Sequence, residues 1–103
     1  MDQGTDFSAQ IDLQSYAGVM YDLSSATIYA QMRKSYQSTV AYNFNAYVLD
    51  PTEGSIVIEM AWQQTAEIES GRYVYDIVIE EATGTRVRAI EGVVTVNAGV
   101  TKT

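Results

Sequence analysis

The sequence contains no cysteine and no histidine. The first absence removes disulfides, thiolate metal sites and thiol nucleophiles. The second removes the usual neutral-pH general base and the commonest transition-metal ligand. Bases are scarce as well: 6 Lys and Arg stand against 13 Asp and Glu, for a net charge of −7. That balance argues against a direct nucleic-acid partner, because phosphate binding needs clustered Lys and Arg. Unbroken apolar runs are short, far below the roughly 20 residues that cross a bilayer, so no membrane partner is expected. The opening Met1-Asp2-Gln3-Gly4-Thr5-Asp6 has neither the basic nor the apolar region of a signal peptide, so synthesis in a cytoplasm is expected. What the chain does have is 47% hydrophobic and 11% aromatic residues over 103 positions, enough for one packed domain.

Alternation with period two dominates, the signature of strands with one buried face. Phe7, Ala9, Ile11 and Leu13 alternate with Ser8, Gln10, Asp12 and Gln14. After a turn at Ser15–Gly18 and a short run Val19–Leu23, the residues Ala26, Ile28, Ala30 and Met32 share one parity. Val40, Tyr42, Phe44, Ala46 and Val48 read as one further strand, and Ile56, Ile58 and Met60 as the next. Between them, Asp50-Pro51-Thr52-Glu53-Gly54 is a turn. The stretch 62–69 breaks the alternation and predicts a short helical turn across the end of the fold, with Trp62 closing the core there. Tyr73, Tyr75, Ile77 and Ile79 then predict a central strand, and Ala82–Thr85 a hairpin into a last strand. A change of parity near Ala89 predicts a bulge or a crossing between sheets. No repeat, low-complexity tract or linker divides the chain, so residues 1–103 read as one domain with extended termini at 1–5 and 98–103.

The segment Ile68-Glu69-Ser70-Gly71-Arg72-Tyr73 has the cadence of the corner before strand F in immunoglobulin-like domains. Ile68 would plug the core, Gly71 relax the backbone, and Tyr73 return its hydroxyl to the turn. Tyr75 occupies the position of the second cysteine of an antibody domain, so the two sheets must hold by packing alone. The expected fold is therefore all-β: an Ig-like antiparallel β-sandwich of about seven strands, with the helical turn at 62–69.

Several stretches carry a second resemblance: Gln3–Phe7, Tyr21–Ser24, Ala30–Tyr36, Gly71–Asp76, Glu91–Val96 and Val100–Lys102. Their order and spacing resemble the small Ig-like modules in structural proteins of tailed phages, including marine phages with contractile tails. The N-terminal domain of phage baseplate upper proteins is similar. This resemblance implies a non-enzymatic virion module of a baseplate, neck, fibre or capsid surface. It implies other virion proteins and copies of itself as partners and the virion as location, and it supplies no catalytic or ligand residues.

The residues themselves offer little chemistry. The carboxylate pairs Glu80-Glu81 and Glu67/Glu69 are expected on solvated turns, where neither acid is pushed toward a general-acid role. No calcium loop is present and turn chemistry accounts for Asp50–Gly54, so no metal or other cofactor is expected. Tyr42 and Tyr73 are expected to point inward, and Tyr29, Tyr36 and Tyr47 outward. With Arg33 these outward tyrosines form the candidate interface: Tyr29, Arg33, Tyr36 and Tyr47. Arg33-Lys34 and Arg86-Val87-Arg88 hold most of the basic charge, available for acids within the domain or on a neighbouring copy. Outward tyrosines also suit sugar stacking, so the alternative function is a carbohydrate- or host-surface-binding adhesion module.

Overall fold

In the computed structural model of the chain, residues 1–13 and 23–100 are described. The expected turn at Ser15–Gly18, most of the Val19–Leu23 run, and Lys102 lie outside the described residues. Alternation becomes strands where it was read: β1 (Phe7–Asp12), β2 (Thr27–Arg33), β3 (Tyr42–Asn43), β4 (Asn45–Asp50) and β5 (Ser55–Met60). After a single helix turn, α1 (Trp62–Thr65), come β6 (Gly71–Glu80) and β7 (Arg86–Val96).

The strands form two antiparallel sheets, ordered β1-β5-β4 and β3-β2-β6-β7. In chain order these occupy the B, C, C′, D, E, F and G positions of an Ig-like sandwich. No described strand lies in the A position beside β1. Residues 1–3 instead strap the end of β7 through a parallel bridge between Asp2 and Asn97. Asn97 N donates to the Met1 carbonyl at 2.8 Å and Gln3 N to the Asn97 carbonyl at 3.0 Å. The first residues are thus docked against the sandwich and do not trail away from it.

One strand of the sequence reading divides in two. The run from Val40 to Val48 leaves the four-stranded sheet after Asn43 and enters the three-stranded sheet at Asn45. Phe44 sits at the crossing, buried, its N–H still donating to the Ala30 carbonyl at 2.9 Å. Because the chain bends around the core, Tyr42, Phe44, Ala46 and Val48 all keep facing it, so the alternation runs on through the break. The expected bulge is real: Ile77 pairs with Ile90 and Val78 with Arg88, leaving Ala89 unpaired.

Packing holds the two sheets together without a disulfide. Met32, Ile56, Met60, Ile77, Ile79 and Val96 are fully buried between them. Burying each such side chain contributes about 1.5–3 kcal/mol. At the position of the antibody cysteine, Tyr75 lays its ring over Gly92, where an added Cβ would stand 2.9 Å from Cε1. Glycine at 92 is therefore the cavity into which Tyr75 fits.

The end of the sandwich differs from the sequence reading. The helix covers only Trp62–Thr65, and the backbone continues through turns to Ile68. Trp62 does not close the core and is 42% exposed. Thr65, three residues on, points inward instead, with its hydroxyl donating to the Thr5 carbonyl at 2.8 Å. The helix start is held by Asp6, whose Oδ1 accepts from Trp62 N at 2.8 Å. That bond fixes Trp62 at the outer edge of the turn.

Candidate interaction surface

The corner is built as its residues require. Ile68 is buried, and Tyr73, also buried, donates its hydroxyl to the Glu69 carbonyl at 2.5 Å. Gly71 has φ 144°, a backbone shape that a side chain strains. Lys34 crosses above, its Nζ 5.0 Å from the Tyr73 ring centre, and the Tyr42 ring meets Tyr73 edge-on at 6.1 Å. Burial raises the Tyr73 hydroxyl above its ordinary value, and Tyr42 and Glu69 act in the same direction. These residues hold the fold and leave the outer faces free to carry contacts.

The tyrosines expected outside are outside, yet they do not share one patch. Tyr29 and Arg33 lie on the outer face of the four-stranded sheet, on β2, and Tyr36 follows in the loop to β3. Tyr47 sits on β4, in the other sheet, cross-strand from Val57. A single surface therefore takes in Tyr29, Arg33 and Tyr36 but not Tyr47. Two of these three are already engaged. Tyr29 donates its hydroxyl to Glu80 Oε2 at 3.0 Å, and this bond raises its pKa. One face of its ring is covered by the Arg86 guanidinium at 5.3 Å. Arg33 donates to the Ser38 carbonyl at 2.7 Å, bracing the loop that carries Tyr36. Tyr36 is 67% exposed, the most open of the three.

The sequence did not reveal how charge is sorted. Every arginine of the chain, Arg33, Arg72, Arg86 and Arg88, falls on the outer face of the four-stranded sheet. Residue parity carries Arg33 and Arg72 there, and the bulge at Ala89 sets the parity that turns Arg86 and Arg88 the same way. Asp76, Glu80 and Glu91 share the face. Arg86 pairs with Glu80 at 3.3 Å, and Arg88 pairs with Asp76 at 3.3 Å and Glu91 at 3.1 Å. Exposed pairs of this kind contribute about 0–1 kcal/mol each. Their larger effect is to leave this face near neutral while the negative charge lies on the rest of the surface. A depression of about 330 Å³ opens among Gln31, Arg33, Tyr36, Val74, Asp76 and Arg88. Val93, 55% exposed, lies beside it, cross-strand from Val74.

A second feature lies along the side of the sandwich, where β1 and β7 are the neighbouring edges of the two sheets. An apolar seam of about 270 Å³ opens between them, lined by Phe7, Ala9, Ile11, Tyr75, Val93 and Val94. Apart from Val93, which is exposed on the outer face, these side chains face the core and are only half-buried here.

Of the carboxylates expected on solvated turns, Glu67, Glu69 and Glu81 are exposed, whereas Glu80 ends β6, half-buried, where Tyr29 and Arg86 hold it. Among the described residues no group of three or more His, Cys, Asp or Glu could hold a metal ion, and no helix is long and apolar enough to cross a membrane. A scan against protein-family models finds no match for the chain, and a search of curated proteins finds none either.

Proposed function

We propose that this domain is a non-enzymatic assembly module acting through protein–protein contacts. The observation that carries the reading is the outer face of the four-stranded sheet. There a chain of net charge −7 gathers all its arginines, balances them with acids, and sets exposed Tyr36 and Val93 beside a shallow depression. Arginine and tyrosine around a small apolar centre are the residue types that protein interfaces favour. The pairing of Arg86 and Arg88 with in-sheet acids leaves these two poorly placed to bind a phosphate backbone.

The setting follows from the resemblance to tailed-phage modules, which covers most of the chain. On that basis the domain is a virion component, of baseplate, neck, fibre or capsid surface, whose partners are other virion proteins and copies of itself. The test is incorporation. A phage carrying Tyr36→Ser with Val93→Asp in this chain should yield particles depleted of it at least about tenfold, with the variant's melting temperature unchanged. Normal incorporation of that variant would remove this face from the account. Glycan binding abolished by Tyr36→Ser alone would instead favour the adhesion function; Tyr29 is a poorer stacking platform, because Arg86 covers one face of its ring.

A further inference from the structure

Charge divides between the two sheets. Residues 6–12 and 44–60, which hold β1, β4, β5 and the turn joining β4 to β5, carry Asp6, Asp12, Asp50, Glu53 and Glu59 and no Lys or Arg. Every Lys and Arg among the described residues lies on β2, β6 or β7 or, as Lys34, directly after β2. Glu59 sits cross-strand from Ser8, on the face of the three-stranded sheet turned away from the core.

That acidic sheet also has an edge open to pairing. Among the described edges, β3 is two residues long, and β4 carries a register irregularity between Val48 and Asp50 and gives way to Pro51. β7 has the Ala89 bulge and the strap of residues 1–3 across its far end. Short strands, bulges, prolines and covering segments keep other chains from adding to an edge. β1 has no such device: its register with β5 is unbroken from Phe7 to Asp12, and it contains no proline.

The direction of its backbone groups follows from one bond. Leu13 N donates to the Gly54 carbonyl at 3.0 Å, so the backbone of Leu13 points toward β5. Alternate residues of an antiparallel ladder share that direction, so Ile11, Ala9 and Phe7 do too. The N–H and C=O of Ser8 and Gln10 therefore point away from β5. They border the seam of about 270 Å³ that Phe7, Ala9, Ile11, Tyr75 and Val94 line. Open main-chain groups beside an apolar trough are what an added strand uses, the first for its ladder and the second for alternate side chains.

We propose that the β1 edge receives an extended basic strand from a different protein, laid antiparallel in the empty position beside β1. Ser8 and Gln10 supply the ladder bonds. Side chains alternate along the incoming strand, so apolar ones cover the seam while Lys or Arg on its other face meet the acidic sheet. Charge names the occupant: a net −7 turns away a second copy of this chain and attracts a cationic partner. The contact adds a partner class to the assembly reading and rests on that reading for its biological use.

The probe is a synthetic peptide of about seven alternating lysine and valine residues, a strand's length, titrated into the isotope-labelled chain. Binding with Kd below about 1 mM is expected, with the largest amide shifts at Ser8 and Gln10. A peptide with glutamate in place of lysine should bind at least about tenfold more weakly. Gln10→Pro removes an outward N–H where an edge strand accepts proline, and should weaken the lysine peptide at least about tenfold. Circular dichroism verifies that this variant is folded; if it is not, the shift map of the wild type decides. No binding up to about 1 mM overturns the proposal, as do equal affinities for the two peptides, an unchanged affinity in folded Gln10→Pro, or shifts confined to the four-stranded sheet. Failure here alongside particles depleted of the Tyr36→Ser, Val93→Asp variant strikes the added strand alone. Peptide binding at β1 alongside normal incorporation of that variant keeps the strand and removes the arginine-bearing face.

Discussion

Tyr73→Phe removes a single oxygen from the corner between β5 and β6, and its cost follows from the geometry. The ring stays buried against Tyr42 and beneath Lys34, so packing is retained. What is lost is the 2.5 Å bond to the Glu69 carbonyl. Glu69 is exposed, so water can reach that carbonyl, which keeps the loss near an ordinary hydrogen bond: about 1–1.5 kcal/mol. For a domain of this size that lowers the melting temperature by about 5–10 °C. Urea unfolding followed by far-UV circular dichroism should show the midpoint fall with the slope unchanged. Alkaline pH supplies a second signature. Burial raises the folded-state pKa of Tyr73 above the ordinary 10.0, so the folded protein keeps a proton that the unfolded chain releases. The stability this group contributes is whole below about pH 10 and is lost as pH rises through the folded value. Phenylalanine cannot ionise, so the alkaline decline should be shallower in the variant. A Tyr73→Phe protein within about 0.3 kcal/mol of wild type at neutral pH, with the same alkaline decline, would refute a structural role for the corner bond.

Two other substitutions probe the packing. Gly92→Ala places a methyl 2.9 Å from the Tyr75 ring and should destabilise by about 1–3 kcal/mol, measured by urea unfolding. Combining it with Tyr75→Leu should cost less than the two single losses added, and strict additivity would dismiss the contact. Trp62→Ala should cost under about 1 kcal/mol, because the side chain is 42% exposed; a loss above about 3 kcal/mol would restore Trp62 to the core.

Much of the fold was legible because alternation records which side of a strand is buried, and burial on one side is what a sandwich demands. Ile28, Ala30 and Met32 on β2, and Tyr73, Ile77 and Ile79 on β6, were readable for that reason. Parity says nothing about which sheet a residue belongs to, so the crossing at Phe44 was invisible. Trp62 was misread because size suggested burial, while the bond from its backbone to Asp6 sets the orientation of the turn. The candidate surface was legible one residue at a time. Outward parity identified Tyr29, Tyr36 and Tyr47, but the sheet that displays each depends on pairing between distant strands. Tyr29 was committed to Glu80 and Arg86 by a register that no local pattern shows. The gathering of arginines depends on the bulge at Ala89, whose position the parity change did mark.

The central claim is that this domain works as a building block, through contacts and without chemistry of its own. Quantitative mass spectrometry of gradient-purified particles from the tailed phage proposed to encode this chain tests it most directly. A fixed copy number, constant between preparations and resistant to high-salt washing, is the predicted result. Absence of the chain from purified particles, with the protein abundant in the infected-cell lysate, would contradict it.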